Sequence, residues 1–182
     1  MTSNNWYVIT GGPSTGKTTL LKELEKLGHK IIPEAARTVI DEALVKGISV
    51  EALRIDEKRF QDDVARLKEK IEATHDKNVL TFFDRGMQDT VAYMRHYGFN
   101  IDEWVATLMD KAKYQKVFLL EPLSTYQSDY ARTEDHDFTK SLHKLLHDAY
   151  AEFGMEPVHV PAVSLDDRVK FILGKVKVEQ TA

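Results

Sequence analysis

The chain has 182 residues, of which 42% are hydrophobic and 30% charged, and its formal net charge is −4 at pH 7. This length and balance are typical of one globular domain, so we expect residues 1–182 to form a single domain. The acidic balance argues against nucleic acid as the main partner. The sequence contains no cysteine, which excludes disulfides, thiolate zinc sites and thiol nucleophiles. No apolar run could span a bilayer and no signal peptide is visible, so we expect a cytoplasmic protein without a membrane partner and leave its oligomeric state open.

Two hydrophobic periodicities alternate along the chain. Short apolar runs typical of buried parallel strands are Trp6–Thr10, His29–Ile32, Val79–Asp84, Lys116–Glu121 and Pro157–Val160. Longer amphipathic stretches typical of helices are Thr18–Leu27, Glu34–Lys46, Val50–Thr74, Gln88–Arg95, Glu103–Lys111, Phe138–Phe153 and Leu165–Lys175. The alternation predicts an α/β fold with a parallel sheet and right-handed crossovers.

The first strand runs into a glycine-rich segment that matches the Walker A pattern. The residues that would hold the phosphates are Gly11, Gly12, Pro13, Ser14, Thr15, Gly16, Lys17, Thr18 and Thr19. The glycines let the backbone turn and present N–H groups to phosphate oxygens, and the helix N-terminus adds partial positive charge. Lys17 would reach the β- and γ-phosphates, and the Thr18 hydroxyl would ligate Mg²⁺.

A P-loop site also needs a carboxylate at the end of another buried strand to serve the metal. Asp84 ends an apolar run and is the first candidate, whereas Glu121 is the alternative at the end of a later strand. Arg85 follows Asp84, where many motor-like ATPases carry a water-activating glutamate. The arginine at this position argues against an ATP-hydrolysing motor. Its positive charge suits the binding of an anionic substrate or of the phosphoryl group that is transferred.

Glu34 and Arg37 follow the second strand, at the edge of a parallel sheet where ligands bind. Glu34 is predicted either to orient or deprotonate a substrate hydroxyl, or to form an ordinary ion pair with Arg37 in the first helical turn.

The segment from Pro122 to Asp137 is polar and lacks periodicity, which fits either a lid over the phosphates or a solvated loop. Arg132 would supply positive charge from such a lid to the transferring phosphoryl group.

His143 and His147 lie four residues apart on a predicted helix, with His136 upstream. No nearby carboxylate completes a zinc pattern, so we interpret these histidines as a polar helix face.

Five segments in this order resemble the NadR/Ttd14-type P-loop NTPase family: the Walker segment, Ile-Pro-Glu-Ala-Ala-Arg, Phe-Phe-Asp-Arg-Gly, Val-Phe-Leu-Leu-Glu-Pro and Tyr-Gln-Ser-Asp-Tyr-Ala-Arg. The layout is also similar to that of deoxynucleoside and thymidylate kinases. The resemblance implies a three-layer fold with a five-stranded parallel sheet in the order 2-3-1-4-5 and helices on both faces. It also implies kinase roles for Lys17, Thr18, Glu34, Asp84, Arg85 and Arg132.

These observations favour an ATP- and Mg²⁺-dependent kinase that acts on a hydroxyl of a small nucleoside- or riboside-like acceptor. The alternative is a regulatory NTP-binding protein or slow hydrolase without an acceptor. ATP is favoured because no Asn-Lys-x-Asp segment is present to read guanine, although GTP stays open. A polar cavity beside Glu34 and Arg85 would favour the kinase, and a filled apolar site there would favour the alternative.

Overall fold

The computed structural model describes residues 4–123 and 136–176. The strands within these ranges are β1 Trp6–Thr10, β2 Lys30–Ile32, β3 Thr81–Asp84, β4 Lys116–Leu120 and β5 Val158–Val160. The helices are α1 Lys17–Lys26, α2 Ala35–Val45, α3 Val50–Arg54, α4 Glu57–Thr74, α5 Gln88–His96, α6 Glu103–Lys111, α7 His136–Glu152 and α8 Leu165–Leu173. Among the described residues, no helix is both long and apolar enough to cross a membrane.

The strands form one parallel sheet in the order β2-β3-β1-β4-β5, which confirms the expected α/β fold. β1 is the central strand and pairs with β3 on one side and β4 on the other. All five of its residues are buried. A strand covered on both faces must be apolar throughout, which explains why the sequence of β1 reads as a continuous hydrophobic run.

Two hydrophobic cores lie on opposite faces of the sheet. Alternate residues of β1 point to opposite faces, so that Trp6 and Val8 join one core while Tyr7 and Ile9 join the other. The first core is covered by α5, α6 and α7, and the second by α1 and α8. The structure is therefore the expected three-layer arrangement.

The single helix predicted for Val50–Thr74 is wrong, because the structure contains two helices there. Asp56 caps the start of the second helix, and its side chain accepts a hydrogen bond from the backbone N–H of Arg59. Aspartate competes for backbone donors in this way, which favours a helix start over a helix interior. α4 then packs on α2 through a third apolar cluster that contains Phe60 and Val64.

Candidate functional site

The glycine-rich segment forms the loop between β1 and α1. Gly16 precedes α1 with φ +75°, a left-handed conformation that glycine adopts without steric cost. A Cβ atom at Gly16 would also lie 3.0 Å from Nη1 of Arg168 and 3.3 Å from Cδ1 of Leu123. The loop borders a cavity of about 460 Å³, lined by Gly12, Pro13, Ser14, Thr15, Gly16, Lys17, Thr18, Thr19, Glu34 and Arg85.

Lys17, which lines this cavity, pairs with Asp84 although the two residues are 67 positions apart. Nζ of Lys17 donates to Oδ1 of Asp84 at 2.6 Å, and the two side chains are only 9% and 14% exposed. Burial raises the pKa of Asp84, and the attraction of Lys17 offsets only part of that effect. The Thr18 residue is exposed beside them. The site thus presents a cation, a carboxylate and a hydroxyl at adjoining strand ends.

The Glu121 carboxylate, the other candidate for the metal, has different partners. Its Oε1 atom lies 2.6 Å from Nδ1 of His159 and 3.5 Å from Nε2 of His143. Glu121 thus contacts two histidines, whereas Asp84 contacts the loop lysine.

Arg85 links two carboxylates across the edge of the sheet. Its Nε atom donates to Oε1 of Glu34 at 2.8 Å, and its Nη1 atom donates to Oδ1 of Asp89 at 3.0 Å. Burial alone would raise the pKa of Glu34, but Arg85 and Lys17 outweigh it and hold that pKa below its ordinary value. Glu34 is therefore ionised at neutral pH. Its partner is Arg85 and not Arg37, which pairs instead with Asp41 on the exposed side of α2.

The chain direction after β3 depends on two consecutive residues. Arg85 has φ +68°, a left-handed conformation that is rare for a residue with a Cβ atom. At Gly86, a Cβ atom would lie 2.6 Å from the hydroxyl of Tyr150, 2.8 Å from Tyr114 and 2.9 Å from Val8. A Cβ atom at this position would therefore overlap buried neighbours, which explains why glycine follows Arg85.

Two buried charges behind Arg85 were not identified from the sequence. Asp89 is 1% exposed and accepts hydrogen bonds from Thr10, Arg85, the Gly86 N–H and Tyr150. Lys68 is 6% exposed and donates from Nζ to the Gly86 carbonyl at 2.6 Å. Burial lowers the pKa of Lys68, against the attraction of Asp89.

The helical periodicity of the sequence could have indicated that Lys68 is buried. Lys68 follows Val64 by four residues and precedes Ile71 by three, so it lies on the apolar face of α4. A charged residue on such a face must find a partner inside the protein.

Arg168 was not predicted as a site residue either. It follows Leu165 by three residues and so lies on the inner, apolar face of α8, which again indicates a buried charge. The residue is 3% exposed, and its Nη1 atom donates to the Thr15 carbonyl at 2.8 Å. Its Nη2 atom lies 3.4 Å from the Glu121 carbonyl. Arg168 thus anchors the loop from behind and places a positive charge next to it.

A second cavity of about 260 Å³ opens between α2, α4 and α5. It is lined by Glu34, Ala36, Arg37, Ile40, Arg54, Phe60, Gln61, Val64, Lys68, Arg85, Asp89, Thr90 and Tyr93. Glu34 and Arg85 line this cavity and also the cavity at the loop. The two cavities are therefore neighbours that share one ion pair.

Arg132 lies outside the described residues, as does most of the predicted lid from Pro122 to Asp137. Its role stays a prediction.

Comparison with solved structures gives the same fold at low sequence identity. The NadR protein in complex with NR is 18% identical, with a TM-score of 0.69 over 99% of this chain and 54% of the other. A deoxyadenosine kinase from M. mycoides with bound dCTP is 19% identical, with a TM-score of 0.61 over 93% of this chain and 97% of the other. A thymidylate kinase from Candida albicans is 14% identical, with a TM-score of 0.63 over 94% of this chain and 90% of the other. The chain thus spans about half of the NadR protein and nearly all of the two kinases.

No curated protein matched the chain. A family model described as an AAA domain matches residues 6–168, which include the loop, both cavities and every strand. The chain therefore belongs to this AAA domain family of P-loop proteins.

Proposed function

We propose that the chain is an ATP-dependent kinase that transfers the γ-phosphoryl group to a hydroxyl of a small nucleoside- or riboside-like acceptor. The observation that carries this proposal is the pair of adjoining cavities that share Glu34 and Arg85. A protein that only binds or hydrolyses the nucleotide has no need of a second cavity, lined by both charged and apolar side chains, beside the phosphate site.

The loop cavity suits the triphosphate. Backbone N–H groups at the start of α1 and the charge of Lys17 would bind the phosphate oxygens. Thr18 and Asp84 offer the hydroxyl and carboxylate oxygens that Mg²⁺ prefers; Thr18 lines this cavity, and Asp84 contacts Lys17, which also lines it. When bound, Mg²⁺ supplies positive charge that offsets the charge of the phosphates.

The second cavity suits a small acceptor with both a ring and polar groups. Its volume of about 260 Å³ lies just below the range of roughly 300–1,000 Å³ that is usual for drug-sized ligands. Phe60 and Tyr93 provide aromatic surface, while Gln61 and Arg54 provide polar groups on the same walls. Structural neighbours whose names include deoxyadenosine kinase and thymidylate kinase support an acceptor of this class.

Glu34 is best suited to orient the acceptor hydroxyl. Because its pKa is held low, it is ionised and can accept a hydrogen bond from the hydroxyl, but it is a weak base before the reaction begins. The hydroxyl oxygen would form a bond to the γ-phosphorus while the bond to the β–γ bridging oxygen breaks, so that ADP leaves. The hydroxyl proton would pass to Glu34 as the oxygen becomes acidic. Arg85 lies 2.8 Å from Glu34 and would stabilise the charge of the transferring group.

The test is to incubate the protein with ATP, Mg²⁺ and a panel of nucleosides, ribosides and sugars, and to identify the products by mass spectrometry. We expect a phosphorylated acceptor with the wild type. Glu34→Gln should lose transfer but keep ATP affinity, whereas Lys17→Ala should lose both. Glu42→Gln is the matched control, because it makes the same change at an exposed position on α2, the helix that Glu34 directly precedes.

One result would reject the kinase proposal in favour of the regulatory or hydrolytic alternative. In that result, ATP is converted only to ADP and free phosphate, and Glu34→Gln hydrolyses it as fast as the wild type.

A further inference from the structure

A second group of ligand-type side chains lies outside the two cavities, where β4, β5 and α7 meet. Glu121 directly follows β4, His159 lies in β5 and His143 lies in α7. One ligand atom from each residue lies within 4.8 Å of the others. These three residues, called here the Glu–His cluster, are far apart in sequence, so the fold alone brings them together.

The contacts within the Glu–His cluster converge on one carboxylate oxygen. Oε1 of Glu121 is 2.6 Å from Nδ1 of His159 and 3.5 Å from Nε2 of His143. The two imidazole rings are 5.8 Å apart between centroids. Two imidazole nitrogens therefore face the same carboxylate oxygen.

His143 is the least exposed member, with 18% of its side chain accessible. Its Nδ1 atom is buried and has no hydrogen-bond partner among the described residues. The ligand atom that His143 offers is its other ring nitrogen, Nε2, which lies 3.5 Å from Oε1 of Glu121.

We propose that Glu121, His143 and His159 bind a zinc ion. Two histidines and one carboxylate are a common protein ligand set for Zn²⁺, with bonds of about 2.0–2.2 Å and a fourth position for water. Tetrahedral bonds of that length separate ligand atoms by roughly 3.3–3.5 Å. The contact between Glu121 and His143 already has this spacing. The contact to His159 would have to open by less than about 1 Å, which the half-exposed side chains permit.

The ligand chemistry distinguishes this site from the one at the phosphates. Imidazole nitrogen suits Zn²⁺ and related transition metals, whereas Mg²⁺ prefers oxygen ligands alone. His147 lies on the same face of α7, and its ring is 5.4 Å from that of His159. His147 is therefore our candidate for a fourth ligand in place of water.

A bound ion would cross-link the end of β4, β5 and α7 close to the glycine-rich loop. The backbone carbonyl of Glu121 lies 3.4 Å from Nη2 of Arg168, whose Nη1 atom holds the Thr15 carbonyl. The metal would therefore stabilise the end of β4 against β5 and α7, in a region that supports the loop.

The test is zinc titration calorimetry of nucleotide-free protein, from which any histidine tag has been cleaved and metals removed by chelation. Excess Mg²⁺ is included to occupy sites made of oxygen ligands. We expect one equivalent of Zn²⁺ to bind, and Co²⁺ in its place to give the visible absorption of a four-coordinate site.

Glu121→Gln, His143→Gln and His159→Gln should each weaken Zn²⁺ binding by at least about tenfold, because even supporting groups around a metal contribute about 10- to 100-fold. His29→Gln, a histidine remote in sequence from the cluster, should leave the affinity unchanged. If His147→Gln also costs tenfold, the fourth ligand is His147, and an unchanged affinity assigns that position to water.

Absence of Zn²⁺ binding, or equal affinity in the wild type and the three cluster variants, would overturn the proposal. Circular dichroism of each variant checks that it is folded. Glu121 and His159 are partly exposed, so their variants keep the test decisive if His143→Gln misfolds. The measurement requires no nucleotide and is independent of the proposed kinase activity.

Discussion

Asp89→Asn tests whether the buried charges behind Arg85 form one energetic unit. Each carboxylate oxygen of Asp89 accepts from two donors: Oδ1 from Thr10 and Arg85, and Oδ2 from the Gly86 N–H and Tyr150. An asparagine can accept at only one of these positions, so in either orientation its NH₂ group faces two donors. The substitution also removes the negative charge that compensates Arg85.

Removing one partner of a buried ion pair costs about 3–5 kcal/mol. For a domain of this size, each kcal/mol lowers the melting temperature by about 2–4 °C, so we expect a fall of roughly 6–20 °C. Urea unfolding at pH 7 measures the free energy of unfolding directly. The control is Asp41→Asn, which removes a carboxylate from the exposed pair with Arg37 and should cost no more than about 1 kcal/mol.

The pH dependence provides a second readout of the same group. Burial would raise the pKa of Asp89, but Arg85 and Lys68 outweigh it and lower that pKa below 3.8. The stabilisation by the carboxylate is therefore complete above pH 3.8 and is lost as the pH falls through the lower folded-state pKa. The deficit of the variant should shrink only in that acidic range. A deficit below about 1 kcal/mol at pH 7 would refute the interpretation of a coupled buried network.

Two further predictions concern residues on either side of Arg85. Asp84→Asn should sharply reduce Mg²⁺-dependent turnover without weakening metal-free nucleotide binding, because it removes a metal ligand and a negative charge together. In the wild type, the Mg²⁺ affinity should begin to weaken above pH 3.8 on acidification, because burial raises the pKa of Asp84. Turnover titrations with Mg²⁺ at several pH values measure both effects, and an equal loss on Glu121→Gln would show that the metal carboxylate was misassigned. Gly86→Ala should lower the free energy of unfolding by about 1–3 kcal/mol, because its Cβ atom would overlap buried neighbours. Urea unfolding measures this, and a stability equal to that of the wild type would contradict the close approach of Tyr150 and Tyr114 to this glycine.

The strands and the loop were predictable from sequence because their signals are local. β1 begins and ends at the predicted residues, and β4 differs from its predicted range only at the C-terminal end. An apolar run followed by a glycine-rich segment directly specifies a buried strand and a tight turn. The order of the strands came from the family resemblance, since nothing in a single strand indicates its neighbours.

The buried charges were not predicted because their partners are distant in the chain. Asp89 bonds to Thr10 across 79 positions, and Arg168 bonds to Thr15 across 153. Similarly, His143 was interpreted as part of a polar face because no carboxylate stood nearby in sequence, whereas the fold brings Glu121 to it from β4. The helical periodicity could have indicated that some charged residues lie on apolar helix faces and need internal partners, but not which residues those partners are.

The contact between Lys17 and Asp84 has a consequence for the order of binding. Lys17, which would contact the phosphates, lies 2.6 Å from the Asp84 carboxylate, so the charges of these two side chains compensate each other. A triphosphate that binds alone takes the lysine and leaves a buried anion facing its own negative charge. A divalent cation removes that repulsion, and by thermodynamic reciprocity each of the two ligands raises the affinity for the other by the same factor. Under the proposed function, we therefore expect the site to bind the Mg²⁺–nucleotide complex more tightly than free nucleotide.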